Sequence, residues 1–265
     1  IKEIQNQYPF KSVMHFAAFI EAGESVNNPQ KYYDNNVTNF ETLLQNIKPL
    51  GVEYFIFSSS AAVYGTYETP IEENFAKNPA SPYGETKLKG EELLDKFVKE
   101  NKIKAASLRY FNAAGAQGEG LLGEDHEPET HLIPRIIKAS LKNDPIQIFG
   151  SDYPTRDGTC VRDYIHVTDL AKGHLQALQY IINKAEPGTH EAFNLGSGNG
   201  FSILEVVKAL EETVGHEVNK KFQDRRPGDP ATLIASIKKA KEILGFQPEH
   251  NLQYIIKTAY DYHSK

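Results

Sequence analysis

An α/β fold built on a doubly wound parallel sheet is the architecture this sequence predicts, and three features predict it. Strand-like and helix-like segments alternate through the first half at the interval of parallel βαβ units. The strand-like runs are continuously apolar, as in strands covered on both faces. The composition, 40% hydrophobic and 24% charged over 265 residues with 19 Gly and 14 Pro, is that of a globular chain large enough for one big or two small domains.

The elements follow in order. Residues 12–17 form a short apolar run ending in small side chains, a buried strand. Residues 29–50 carry apolar side chains at Tyr33, Val37, Phe40, Leu43, Leu44 and Ile47, the 3/4 spacing of an amphipathic helix, closed by Pro49 and Gly51. Residues 52–57 read as a second strand, 83–101 as a helix and 104–110 as a third strand. After Asn112 the texture changes: 113–130 is a loop rich in Gly, Glu and Asp. A helix (133–141), a strand (146–149) and a Gly/Asp-rich loop (150–159) follow. Residues 162–180 return to a strand-and-helix pattern that could rejoin the first sheet. Residues 193–195 resemble a strand end, and Ser202 with Glu205 forms a capping box opening a helix to Val214. The last helices fall at 238–244 and 252–262.

Other properties exclude whole classes. No run approaches the roughly 18 apolar residues of a membrane-spanning helix. One cysteine, Cys160, excludes a disulfide framework and multi-cysteine zinc sites, and favours a reducing, cytoplasmic setting. A net charge of −6 argues against nucleic-acid partners, while a local basic pocket for a small anion stays open.

Chemistry concentrates at Tyr83-Gly-Glu-Thr-Lys87, at a predicted helix start. Residues four apart share a helical face, so the phenol and the ammonium can meet one ligand. A nearby ammonium favours phenolate and suits the tyrosine to general-base work. The alternative is a solvated pair. Upstream, Phe55-Ile-Phe-Ser-Ser-Ser60-Ala-Ala-Val-Tyr64-Gly65 is an apolar strand ending in hydroxyls, and ligands bind at the carboxyl ends of such strands. Ser60 could share a substrate hydroxyl with Tyr83 and Lys87; Ser58 and Ser59 otherwise satisfy backbone groups.

These motifs, with Leu108-Arg-Tyr-Phe-Asn112, the stretch from Gly150 through Arg162-Asp-Tyr164-Ile-His166-Val, Phe193-Asn-Leu-Gly-Ser-Gly and Arg225-Arg226-Pro-Gly-Asp229-Pro, resemble the extended short-chain dehydrogenase/reductase superfamily and, within it, the UDP-galactose 4-epimerases. The resemblance covers nearly the whole chain in order. It implies interconversion of UDP-galactose and UDP-glucose with bound NAD through a 4-keto intermediate. Sugar-nucleotide dehydratases of the superfamily place an acidic pair after the strand-end hydroxyl; here Ala61 and Ala62 stand there.

The resemblance also implies roles. Tyr83 is the base, Ser60 holds and relays the hydroxyl proton, and Lys87 binds the nicotinamide ribose and lowers the tyrosine's pKa. Phe16, Ala17, Asn35, Ser58 and Phe111 match positions lining the NAD site. Arg162 and Arg226 match diphosphate-binding positions and Asp229 a residue holding ribose hydroxyls. Phe149 and Tyr164 match the nucleotide pocket, while Asn112 and His131 match residues near the diphosphate. Ile20 departs from a lysine often found there, and Leu233 replaces a bulky tyrosine of some members, leaving space for an acetamido group. Without the resemblance, Arg225-Arg226 reads as a solvated pair and Phe149 as core.

Two patterns are set aside. Gly196-Ser-Gly198-Asn-Gly200 has the wrong spacing for a dinucleotide fingerprint and follows an isolated strand, so it reads as a tight turn. Glu124, Asp125, His126, Glu127, Glu129 and His131 sit on a loop without a register to fix ligand geometry, so no metal is expected.

The expected organisation is an NAD-binding region at 1–111, with 160–182 rejoining it, and a UDP-sugar region at 112–265; the resemblance implies a homodimer. Family members begin with a strand, a glycine-rich turn, a helix and an acidic residue on the next strand. No such fingerprint precedes Ser12, so two units of roughly 30 residues are expected to be absent. Weak NAD binding and an exposed sheet edge are expected to follow. Alternatives are an epimerase of UDP-N-acetylhexosamines or UDP-glucuronate, or a UDP-sugar-binding fragment without catalysis.

Overall fold

The computed structural model describes residues 1–67, 70–118, 120–226 and 229–265. Glu119 of the predicted 113–130 loop, and Pro227 and Gly228 of the Arg225–Asp229 motif, lie outside them. Among the described residues the strands are β1 Ser12–His15, β2 Tyr54–Ser60, β3 Lys104–Tyr110, β4 Asn112–Ala114, β5 Ile146–Phe149, β6 Val161–His166, β7 His190–Leu195, β8 Gly200–Ser202, β9 Lys220–Gln223 and β10 Thr232–Leu233.

Strands β1, β2, β3 and β7 form a parallel sheet in that order. Successive side chains on a strand point to opposite faces, and β2 uses this fully. Phe55 and Phe57 pack with Phe40, Leu44 and Ile47 of helix Asn39–Ile47 and with Leu94 and Val98 of helix Pro82–Asn101. Ile56, between them, faces Leu170, Ala177 and Ile181 of helix Val167–Asn183. The sheet is therefore covered on both sides, which accounts for the unbroken apolar runs.

The predicted helix 29–50 is continuous but not uniform. Helix Pro29–Tyr33 passes into a wider π turn at Asp34–Thr38, then helix Asn39–Ile47, then a 3₁₀ turn closed by Gly51 at φ +70°. β2 runs past the predicted residue 57, because Ser58, Ser59 and Ser60 pair with Leu108, Arg109 and Tyr110 of β3. The helices Lys2–Gln7 and Ala22–Asn27 escaped prediction; both are short and lack an apolar period.

In the second half, β6 pairs with β4 and β10 in parallel and with β8 antiparallel, while β5 and β9 form a separate parallel pair. Helices Leu132–Leu141, Ile203–Val214 and Leu252–His263 cover a core containing Ile137, Ile148, Val206, Leu210 and Ile256. The predicted capping box is present: Glu205 N donates to Ser202 Oγ (3.1 Å) and Ser202 N to Glu205 Oε2 (2.8 Å).

Two sequence expectations change here. Residues 193–195 are not an isolated strand; they belong to β7, which pairs with β3 although the sequence placed 112–265 in the second region. The 160–182 segment also divides, its helix packing on β2 and β3 while β6 stays with β4 and β10. The glycine-containing turn after β7 is closed by Asp163. Its Oδ1 accepts from Ser197 N (2.7 Å) and its Oδ2 from Gly198 N (3.0 Å) and Ala235 N (3.1 Å). These amides are already spent on a carboxylate.

Candidate active site

Two groups of predicted residues come together at different places. The first lies where β2 meets the helix Pro82–Asn101. Ser81 caps that helix, accepting from Gly84 N at 3.2 Å, and Pro82 occupies its first position. A Cβ on Gly84 would stand 2.4 Å from the Ala62 carbonyl oxygen. Glycine is what lets the helix start press against the end of β2. Tyr83, beside it, lies close enough to Ser60 for that hydroxyl to act on its phenol, and Ser60 Oγ accepts from Ala62 N at 3.1 Å.

One turn on, Lys87 is 3% exposed and donates from Nζ to the Ser58 carbonyl oxygen at 2.8 Å. The ammonium lies 5.4 Å from the Phe57 ring centre and 5.9 Å from that of Tyr83. Burial lowers Lys87 to about 8. Burial, helped by the Lys87 charge, lowers His15 to about 4.

The groups around Tyr83 act on its phenol in opposite directions. Burial pushes the Tyr83 phenol above its ordinary range, the nearby Ser60 hydroxyl opposes this, and the Glu21 charge adds to it. Lys87 donates to the Ser58 carbonyl, and its burial favours the uncharged amine.

Three neighbours went unnoticed in the sequence. Tyr110 hydrogen-bonds His174, and its phenol, pushed up by burial and by Tyr83, is held back by the Ser58 hydroxyl. Glu21 accepts from Thr130 Oγ1, linking the segment after β1 to the second half. Asn36, adjacent to the predicted Asn35, holds that segment through Phe19 N (2.8 Å) and Phe19 O (2.9 Å), and reaches Thr86 Oγ1 at 3.1 Å. Asn35 itself donates to Asn36 Oδ1 at 2.9 Å. The π turn carrying both asparagines is the local signal, since such turns concentrate at functional sites.

The same region fits a dinucleotide cofactor on two counts. Lys87 has three ammonium donors and, among the described residues, one hydrogen-bond acceptor, Ser58 O. After β1, Phe16 (56% exposed), Phe19 and Ile20 present an apolar ledge to solvent. Ala17 lies on this ledge, and the Phe16 ring centre is 4.9 Å from that of His174. Phe111, 9% exposed, packs with Ala61 and Val63 in the core behind β2.

The second group is assembled from separate segments. Arg162 on β6 donates to Val161 O (2.9 Å), Pro230 O (2.8 Å) and Asp229 Oδ1 (3.0 Å). Arg162 and Asp229, expected at a diphosphate and a ribose, thus pair with each other. Arg226 stacks on Phe149 at 4.0 Å, whereas Arg225 bonds Asp152 and stacks on Tyr153 at 4.3 Å. Arg226 lines a cavity of about 400 Å³ with Thr130, Leu132, Arg135, Ile146 and Gln147. Burial and the like charge of Arg135 lower the Arg226 guanidinium from its ordinary range. Arg135 is a second cation that the sequence did not single out.

Tyr164 is buried and its phenol pushed up by desolvation. Asn112 on β4 donates to Asp163 O at 2.8 Å. Leu233 pairs with Arg162 in register and packs on the cluster containing Ala61 and Phe111. His131 is turned to Glu124, which holds its imidazole above the ordinary range.

With this geometry in view, comparison with known proteins is specific. Residues 1–259 match the family described as GDP-mannose 4,6 dehydratase. The UDP-glucose 4-epimerase of Rhizobium meliloti is 43% identical over 267 residues, covering 100% of this chain and 80% of that protein. That of Lactobacillus helveticus is 44% identical, covering 99% and 80%. Among solved structures, a UDP-glucose 4-epimerase superposes with a TM-score of 0.95 at 44% identity, covering 99% and 80% of the two chains. The Brucella ovis enzyme in complex with NAD gives 0.93 at 43%, covering 98% and 80%. At the point that would separate a dehydratase, the strand end carries Ala61, 4% exposed, and Ala62, whose amide binds Ser60. With that alanine pair at the strand end and this likeness along its whole length, the chain belongs to the UDP-glucose 4-epimerase family.

Proposed function

We propose that this chain interconverts UDP-glucose and UDP-galactose, inverting carbon 4 of the sugar through a 4-keto intermediate. The observation that carries the reading is the meeting of Ser60, at the end of β2, with Tyr83, one helical turn from a buried Lys87, in a chain whose relatives bear that enzyme name. When bound, NAD supplies a hydride acceptor and donor. Tyr83 takes the proton of the 4-hydroxyl, directly or through Ser60, and returns it after the sugar turns. Lys87, with donors to spare, holds the cofactor's hydroxyls, and the ledge at Phe16–Ile20 supports its apolar surface. Arg226 and Phe149, with Arg135 nearby, take the nucleotide diphosphate, and Arg162 and Asp229 exchange their mutual contact for substrate groups.

The test is a UDP-galactose assay on NAD-loaded protein. Turnover should fall by a factor of about 10²–10⁴ in Tyr83→Phe, with UDP affinity retained; unchanged turnover would overturn the assignment.

A broader substrate range rests on Leu233, which sits half-buried beside the Ala61–Phe111 cluster. A neighbour from Campylobacter jejuni, 39% identical, is named a UDP-Glc/GlcNAc 4-epimerase. UDP-N-acetylglucosamine should be epimerised too, and Leu233→Tyr should remove that activity while sparing UDP-glucose. Equal loss on both substrates would count against it. The homodimer and the cytoplasmic setting belong to this reading: among the described residues no helix is long and apolar enough to cross a membrane, and light scattering tests the dimer.

A further inference from the structure

The acidic, histidine-bearing stretch between Leu122 and Leu132 has irregular backbone, as its sequence predicts, yet it does not leave its side chains scattered. It folds so that Glu124, His126, Glu129 and His131 bring ligand atoms within 4.8 Å of one another. His126 Nδ1 lies 3.2 Å from Glu124 Oε1 and 3.8 Å from Glu129 Oε1. His131 Nδ1 touches Glu124 Oε1 and lies 3.8 Å from Glu129 Oε1.

Two further observations distinguish this group from a solvated acidic loop. The Glu129 side chain is only 7% exposed; its Oε1 faces both imidazoles and accepts from His131 N at 2.9 Å, while its Oε2 is buried without a hydrogen-bond donor. The nearest cation to that oxygen, Lys138 Nζ, stands 3.9 Å away. His126 Nδ1, turned into the cluster, is likewise buried and without a hydrogen-bond partner. A buried carboxylate oxygen and a buried imidazole nitrogen, each near an opposite group but neither hydrogen-bonded, cost free energy that a shared cation would offset.

We propose that Glu124, His126, Glu129 and His131 form a binding site for one divalent transition-metal ion. Two imidazole nitrogens with two carboxylate oxygens suit zinc, cobalt or nickel; magnesium and calcium favour all-oxygen shells. Two carboxylates match the ion's charge. The ion's role is positional. The loop it closes includes Thr130, which lines the cavity beside Arg226 and donates to Glu21, so the ion fixes one wall of that cavity. The site itself stands independently of the epimerase reading.

The test uses the chain stripped with a chelator, titrated with zinc by calorimetry and with cobalt by visible absorption. One ion per chain is expected, with the ligand-field absorption of four-coordinate cobalt. His126→Ala and Glu129→Gln should each weaken binding at least about tenfold, a loss typical of damaged metal sites, with circular dichroism unchanged. Lys138→Ala removes a competing cation and should bind at least as tightly as the parent. Failure of either metal to saturate the parent chain overturns the proposal. So does binding that survives both ligand substitutions undiminished, or binding that disappears in Lys138→Ala.

Discussion

The strand-end group and the second-half group hold their charges in opposite ways. At the strand end, Lys87 is buried against one carbonyl and Tyr83 against one hydroxyl. In the second half, Arg162 rests on Asp229, Arg225 on Asp152 and Arg226 on the Phe149 ring. The first arrangement keeps donors free in a desolvated place, as preorganised chemistry requires. In the second, Arg162 and Asp229 satisfy each other and must exchange partners when an anion arrives, while Arg226 waits against an aromatic face. Catalysis and grip are thus separated in how they are supported, not only in where they lie.

The largest expected effect tests what keeps the strand end rigid. Behind it, Arg109 binds Glu91 through Nε (2.8 Å) and Nη2 (2.6 Å), and Ser59 Oγ donates to the same carboxylate at 2.6 Å. Both side chains of the ion pair are at most 5% exposed. Breaking such a pair leaves a buried charge and costs about 3–5 kcal/mol. Urea unfolding of Glu91→Ala should show a loss of that order; a loss below about 1 kcal/mol would mean water reaches this network.

The next pair sharpens the division of labour. Ser60→Ala should lower kcat by about a hundredfold with little change in KM, as loss of a proton relay does. Arg226→Ala should raise KM for UDP-sugars by about tenfold and leave kcat nearly intact, as loss of uniform binding does. Steady-state kinetics that reversed this split would dissolve the comparison.

The smallest expected effect is a shift in pH. The Glu21 charge raises the Tyr83 phenol, so neutralising it in Glu21→Gln should lower that pKa. A base acts when deprotonated, so the acidic limb of the kcat/KM profile should move to lower pH. An unmoved or rising limb would remove Glu21 from the electrostatics of the site.

Much was legible in the residues. The apolar runs marked β2, β3 and β5, with β2 extending further through its serines. The 3/4 period marked the helix over 29–50, and Ser202 with Glu205 marked a cap. Each of these depends on neighbours a few residues away. Tyr83 and Lys87 were visible for the same reason: four residues on one helix share a face whatever the rest of the chain does.

By itself, then, the sequence determined what local geometry controls: the parallel βαβ order, the shared face of Tyr83 and Lys87, and the absence of a carboxylate at 61–62. Tertiary structure decided the rest. It placed β7 beside β3, set Arg135 against Arg226, gave the buried Lys87 the Ser58 carbonyl as acceptor, and gathered four metal-type ligands from an irregular loop. Such pairings join residues up to about a hundred positions apart, where no period connects them. Their pKa values and partners arise from burial and proximity, which only the folded chain creates.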